Sequence, residues 1–311
     1  MDFNLNPSIL SVRSKAELVR RAEAIIRGEG SIDRLAVDRS ALRPFITAVS
    51  RHYHSNPYHN FHHAVDVTNT MAWLLTRPVF RDNLPDFEGL LLLLAALTHD
   101  VDHPGHDNRW EVNTGSALAL EYNNAAVLEN HSMRVTARLM QLPRLNLFGP
   151  FSPAERERAF RTLNDLILAT DFAIHQQFLR ELDAALASPP YDFGDPEFLG
   201  MVCRALIKAA DIANSAKPFP QANVWGRRVM KEYWAQGDRE KAHNLPVSPL
   251  HDKEKTDLNL TQAAFIKNAA IGLFELLSRL EPAVRVCVQT LRANQREYES
   301  RAVQAGSSVE Q

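Results

Sequence analysis

Apolar residues recur at three- and four-residue spacing along most of the chain, while strict alternation is nearly absent. Leu18, Ala22 and Ile25 share one face of a helix that Ser14 can cap, with Glu17 at its third position. Gly28 and Gly30 are expected to end it. Ala41, Phe45 and Val49 mark a short helix over 40–51, and a further helix runs from His63 to Thr76, where Arg77-Pro78 stops it. Gly89 to His99 is apolar all round, the pattern of a helix at the centre of a globule. Short helices are expected over 116–122 and 131–141. Ser152-Pro153-Ala154-Glu155 joins an N-cap, a proline at the first helical position and an early acid, so a helix should run to about Ala169.

Ser188–Asp195, rich in Pro, Gly and Asp, reads as a loop. Helices follow over Pro196–Ala210, Phe219–Ala235 and Leu260–Leu280, and Glu281-Pro282 breaks the last before a final helix to about Tyr298. The polar stretch Gly237–Asp257 is long for a helix connection and reads as a lid. Ala305–Gln311 reads as a disordered tail. The fold expected is all-α, a compact multi-helix domain. Its divisions are a helical lead-in over 1–39, a main helical domain over 40–300 and a flexible tail over 301–311.

Composition narrows the class. At 311 residues with 45% hydrophobic and 23% charged positions, the chain is an ordinary globular sequence with room for a large core. A net charge of -2 gives no bulk attraction to nucleic acid or an anionic membrane, so neither partner is expected. The longest apolar run, Leu90 to Leu97, falls far short of the ~20 residues that cross a bilayer. Cys203 and Cys287 lie far apart, which argues against a disulfide scaffold or thiolate metal site. Met1-Asp2-Phe3-Asn4 lacks a signal-peptide pattern. A reducing, cytoplasmic setting is expected.

Histidine is where the sequence departs from the ordinary: nine of twelve lie between His52 and His131. His59 and His63 stand one helical turn apart, and spacing alone would make them two ligands of one zinc. His99-Asp100 ends the apolar helix and delivers an imidazole and a carboxylate to a buried place, where unpaired charge is costly. A bound cation resolves that cost. Asp211 ends the helix begun near Pro196, against the helix dipole, and a metal would offset that too. His63, His99, Asp100 and Asp211 therefore form a two-histidine, two-carboxylate set suited to zinc, iron or manganese. Asp100 has a second oxygen with which to bridge to a harder ion such as magnesium. His62, His106, His175, His243 and His251 read as surface or supporting histidines.

The sequence resembles the catalytic domain of class I 3′,5′-cyclic nucleotide phosphodiesterases, within the HD-type metal-dependent phosphohydrolases. The resemblance rests on YHNxxHAxDV at Tyr58–Val67, HDxxHPGxxN at His99–Asn108 and VLENH at Val127–His131. LATD at Leu168–Asp171, ADIAN at Ala210–Asn214 and Gln-x-x-Phe at Gln262–Phe265 complete it, over roughly residues 40–290. It implies that His63, His99, Asp100 and Asp211 hold a zinc ion (Zn2+), with Asp100 also touching a second ion, magnesium (Mg2+) or manganese (Mn2+). It makes His59 the general acid and not a ligand, and sets His103 and Glu129 near the second ion's water shell. Gln262 would read the purine edge, with Phe265 stacking on the base and Val229 on its other face. Tyr58 and Asn214 would line the same pocket and Trp225 support it. Ser132 is a departure, because most members have histidine there. With no long stretch before residue 40, no regulatory domain is expected.

The activity so implied is hydrolysis of the 3′ phosphoester of a cyclic nucleotide by a hydroxide shared between two metals, giving a nucleoside 5′-monophosphate. His59 must be protonated for this, and Glu129 or Asp66 is the expected carboxylate partner. Asn214 beside Asp211 leans the reading towards cAMP over cGMP, and a homodimer is left open. Two competing readings remain: an HD-type hydrolase of another nucleotide phosphate ester, and a catalytically silent cyclic-nucleotide-binding module. The flat slot implied by Gln262 and Phe265 argues against the first, and the complete ligand set with its acid argues against the second.

Overall fold

Six leucines of the helix Asp86–Thr98 (Leu90 to Leu94 and Leu97) are each 1% exposed or less. Burying such a side chain stabilises by about 1.5–3 kcal/mol, so this one helix is a major anchor of the core. The structure, a computed structural model, describes residues 9–307. The reading of Met1–Asn4 and the last residues of the expected tail, 308–311, fall outside them. Among the described residues the secondary structure is helical throughout, with no strand, as the periodicity predicts. Among the described residues no helix is long and apolar enough to cross a membrane.

The leucine helix packs against Phe61–Leu75, Pro153–Leu168 and Pro196–Ile212. These carry or flank every histidine and aspartate of the proposed ligand set. Phe61–Leu75 is in turn covered by Lys15–Glu29, whose buried stripe is Leu18, Ala22 and Ile26, with Ile25 only half-buried. That helix runs through Gly28 and stops at Gly30, which has φ +95°. Ser152 forms the expected capping box with Glu155.

Several boundaries differ from expectation. Phe219–Ala242 continues seven residues past Ala235, so the stretch expected to be a lid opens as helix and only 243–257 connects. Gly237 does not break the helix because it serves a close approach: a Cβ there would lie 2.0 Å from the His251 carbonyl oxygen. The helix expected over Leu260–Leu280 is Leu258–Phe265, a π-helical turn Ile266–Ala270, and Ile271–Leu280. The last helix, Arg285–Ser307, extends nine residues past Tyr298 into the expected tail. Pro78–Asn83, Asn108–Thr114 and His175–Ala185 are helices the pattern did not mark.

Candidate active site

Asn60 starts the histidine helix, its side-chain oxygen accepting from the backbone N–H of His62 and His63 at 2.9 and 3.3 Å. His63, one turn in, is fully buried and faces the end of the leucine helix. There the Tyr53 hydroxyl donates to the Leu97 carbonyl at 3.0 Å and fixes where the helix ends. His99 donates from Nδ1 to the Ala96 carbonyl at 3.0 Å, which leaves Nε2 as the nitrogen that faces the carboxylates.

Four groups from three helices then converge. His99 Nε2 lies 3.0 Å from Asp100 Oδ2 and 3.3 Å from Asp211 Oδ1. His63 Nε2 lies 3.1 Å from Asp211 Oδ1 and 3.5 Å from Asp100 Oδ2. Zinc ligands about 2.0–2.2 Å from their ion sit about 3.3–3.6 Å from one another when tetrahedral, and the observed edges are close to that. His99 Nε2 is buried and makes no aligned hydrogen bond despite these close oxygens. His63 Nε2 is hydrogen-bonded to Asp211 Oδ1, while His99 Nε2 stands unpartnered beside two carboxylate oxygens, and a donor set drawn so close together fits a divalent cation. Burial opposes ionisation of both carboxyls, yet the neighbouring imidazoles hold Asp100 and Asp211 well below the usual carboxylate range. Burial likewise opposes protonation of His99, and the two carboxylates still raise its pKa well above the usual value. The charge that does this is the charge that would hold a cation.

His59 is not in that set. Its Nδ1 is hydrogen-bonded to Glu232 Oε1, and its ring stacks on His103 at 3.9 Å between centroids. Burial alone would lower its pKa, but Glu232, then Asp100 and Asp211, carry it up to about 9. His103 goes the other way: burial and the neighbouring His59 push it down to about 3, and its Nδ1 accepts from the Gly105 N–H at 3.1 Å. One ring is built to be an imidazolium and the ring stacked on it to be neutral.

Both expected partners of His59 are engaged elsewhere. Asp66 is paired with the buried ammonium of Lys217. Glu129 accepts from Asn108 at 2.9 Å, and burial followed by nearby Asp171 raises it to about 7. Glu232 takes the role, and one signal could have found it. Trp225, Val229 and Glu232 are spaced four and three apart on one helix and so share a face.

Around these groups, the Tyr58 ring lies 4.6 Å from His63 and 5.8 Å from Trp225, and its hydroxyl accepts from Asn214 at 2.6 Å. Val229 is half-buried. Gln262 is 8% exposed and presses against Gly226, next to Trp225. Phe265 stacks on Phe172 at 5.9 Å, and Phe172 on His175 at 4.7 Å. The π-turn after Phe265 frees backbone carbonyls, and two of them accept from this neighbouring segment: Ala269 from His175 at 3.1 Å and Asn268 from Gln176 at 2.9 Å. Phe172 went unread in the sequence because nothing local to LATDF marks an aromatic stack, and His175, expected to be a surface or supporting histidine, is 1% exposed. Ser132 is 2% exposed, and its hydroxyl donates to the Val101 carbonyl at 3.0 Å.

The sequence profile of the family described as 3′5′-cyclic nucleotide phosphodiesterase matches residues 58–291. A cGMP-specific 3′,5′-cGMP phosphodiesterase 3 of Dictyostelium discoideum is 32% identical over 94% of this chain and 62% of its own length. A 3′,5′-cyclic-AMP phosphodiesterase 4C of Rattus norvegicus is 34% identical over 85% of this chain and 51% of its own. The chain thus spans less than two thirds of the length of these curated relatives. Among solved structures, the phosphodiesterase domain of a Salpingoeca rosetta rhodopsin phosphodiesterase superposes with a TM-score of 0.92. It is 28% identical, covering 99% of this chain and 94% of that one.

Proposed function

This chain belongs to the 3′5′-cyclic nucleotide phosphodiesterase family, and on that premise we propose that it hydrolyses the 3′ ester of cAMP and cGMP to the 5′-monophosphates. The observation that carries the reading is the convergence of His63, His99, Asp100 and Asp211 beside a histidine held protonated by Glu232. We assign the four-residue set to zinc, with Asp100 reaching a second, harder ion, magnesium or manganese, near His103 and Glu129. Cations held there would supply positive charge opposite the phosphate oxygens and a lowered pKa for the attacking water.

The protein's own groups do the rest. An oxygen–phosphorus bond forms on the face opposite the departing O3′, and the P–O3′ bond breaks. His59 gives its Nε2 proton to O3′ as the alkoxide develops, and Glu232 steadies the Nδ1–H so that the ring keeps one orientation. The water's proton leaves to solvent, and His59 is reprotonated from solvent before the next turnover. His103, neutral and stacked on His59, adds no competing charge.

Gln262 meets the edge of the base, Phe265 stacks on it with Val229 opposite, and Tyr58 and Asn214 bound the sugar side. The lean towards cAMP rested on Asn214, and that amide is turned to the Tyr58 hydroxyl. Both nucleotides are therefore proposed as substrates.

The test is to incubate the purified chain with each nucleotide and separate the products. The 5′-monophosphate should appear, none of the 3′-isomer, and a strong chelator should stop the reaction until zinc and magnesium are restored. Failure to cleave either nucleotide with metals supplied would overturn the reading.

A further inference from the structure

We propose that Lys208 is a positioning residue of the nucleotide pocket: from the helix that carries Asp211 it clamps the turn after Leu168 and thereby holds Phe172 against Phe265. The proposal rests on Phe265 meeting the base. Lys208 is 2% exposed, and its side-chain nitrogen donates to the carbonyls of Ala169 and Asp171 at 2.6 and 3.4 Å. It also lies over the Phe178 ring, 5.6 Å from its centre. A buried lysine is costly unless its donors are occupied, and this one spends them on backbone.

The helix Pro153–Leu168 ends just before these carbonyls, where a helix runs out of backbone donors. The helix His175–Ala185, with Phe178 in its first turn, begins just after them. Between the two stands the short turn Phe172–Ile174. Asp171 caps it, accepting from the Ala173 N–H at 2.9 Å. Lys208 therefore grips the chain on both sides of the turn and holds the backbone of the residue that caps it. Burial lowers its pKa to about 8, against the pull of Asp211, Asp171 and Glu129, so at pH 7 the clamp keeps its charge.

Phe172 needs such a clamp because burial does not fix it. It is 51% exposed, yet its ring is stacked on both Phe265 and His175. His175 is tied to the Ala269 carbonyl, so the turn is anchored after Phe172 by that bond and before it by Lys208. The row Phe265, Phe172, His175 keeps its place only while both anchors hold. With the first anchor gone, Phe172 can swing away and Phe265 loses its backing. The ligand set His63, His99, Asp100 and Asp211 makes no use of this turn. Loss of the clamp should therefore fall on the nucleotide and spare the metal.

The experiment measures kcat and KM for cAMP and cGMP in the holoenzyme and in Lys208→Met, Phe172→Ala, their double variant and Phe265→Ala. An aryl phosphodiester without a purine, bis(4-nitrophenyl) phosphate, serves as the control substrate, and bound metal is measured alongside. Lys208→Met keeps the length of the stem and removes its donors. It should raise the nucleotide KM about tenfold, within the worth of stacking on a base, and change control turnover and metal content little. Phe172→Ala should do the same. The double variant should be no worse than either single one, since both act through one contact. A lysine that only stabilises the fold would lower the thermal midpoint without this pattern. Three results would overturn the proposal: an unmoved nucleotide KM in Lys208→Met, an equal loss on the control substrate, or an effect that multiplies that of Phe172→Ala. Should Lys208→Met not fold, Lys208→Gln, which keeps an N–H donor at shorter reach, carries the same cycle under the same criteria. If Phe265→Ala itself leaves the nucleotide KM unmoved, the pocket assignment falls, and this proposal with it.

Discussion

Glu232 holds His59 at two points and its neighbour Tyr58 at a third. One carboxylate oxygen takes the imidazole Nδ1, and the other accepts from the backbone N–H of His59 and of Tyr58 at 3.1 and 2.9 Å. The orientation of the proposed acid is thus set from a helix 173 residues away in sequence. Burial pushes Glu232 up, but His59 outweighs it and leaves the carboxyl at about 2, so the pair is ionised throughout the neutral range. Asp100 and Asp211 also raise His59. Cations bound to those two would cancel their share, and Glu232 would be the support that remains.

Replacing Glu232 by glutamine keeps an acceptor for the backbone amides and removes the charge. Against its burial, Glu232 raises the folded pKa of His59, so the acid form is held at neutral pH and lost as pH climbs through that raised pKa. Glu232→Gln should therefore bring the alkaline limb of kcat to lower pH, with a larger loss at pH 8 than at pH 6. A kcat–pH profile checks this, and an alkaline limb that stays in place would show that Glu232 does not tune the acid.

His59 and His63 stand four residues apart and look alike in sequence, yet they belong to different groups in space. His59→Ala should retain bound metal and lower kcat by about 10²–10⁴-fold, the usual worth of general acid catalysis. A substrate with an acidic phenol as leaving group should recover much of that loss, since it departs without a proton. His63→Ala and Asp100→Asn should lose metal, and no better leaving group should restore them. Metal analysis of the three variants decides, and equal metal loss in His59→Ala would return His59 to the ligand set.

What the sequence discloses and what it hides divide along chain separation. The leucine helix, the Ser152 cap and the placing of His99-Asp100 at a buried helix end are local patterns, and all were legible. The partner of His59 was not, because Glu232 is an ordinary helical glutamate until a loop far upstream folds onto it. Gly237 misled for a related reason. Within the sequence it looks like a breaker, and only the packed His251 turn explains a glycine inside a helix. The π-turn at Ile266–Ala270 has no local signature, since its extra carbonyls are stabilised by His175 and Gln176 from another segment.

Phe265 stands at the start of that π-turn with one face on Phe172. Phe265→Ala should weaken binding of the purine substrate, since stacking on a base is worth about 1–3 kcal/mol by alanine substitution. The effect should fall on KM for the nucleotides and spare an aryl phosphodiester. Equal losses for both substrates would make Phe265 a packing residue only.

The serine at 132 can be read through the turn it supports. Asp102 lies between the proposed ligand Asp100 and His103 with φ +66°, a left-handed conformation uncommon outside glycine. Both of its carboxylate oxygens are occupied, one by His54 at 2.7 Å and the other by His131 at 2.8 Å. Next to them, Ser132 donates to the Val101 carbonyl. Three side chains from two separate segments therefore hold the turn that presents Asp100 and His103. A serine serves at 132 because its hydroxyl reaches the backbone carbonyl of Val101. Ser132→Ala should cost about 1–3 kcal/mol by leaving that buried carbonyl without its donor, seen as a lowered thermal midpoint. Asp102→Ala frees the turn and should weaken metal binding about 10–100-fold, as loss of an outer support of a ligand does. Asp102→Asn, which tolerates the left-handed backbone and keeps one acceptor, should recover part of it. Competition with a chromogenic chelator measures the affinity directly and without turnover. An affinity unchanged in Asp102→Ala would mean that the turn holds its shape without the two imidazoles, and Ser132 would then be no more than a packing residue.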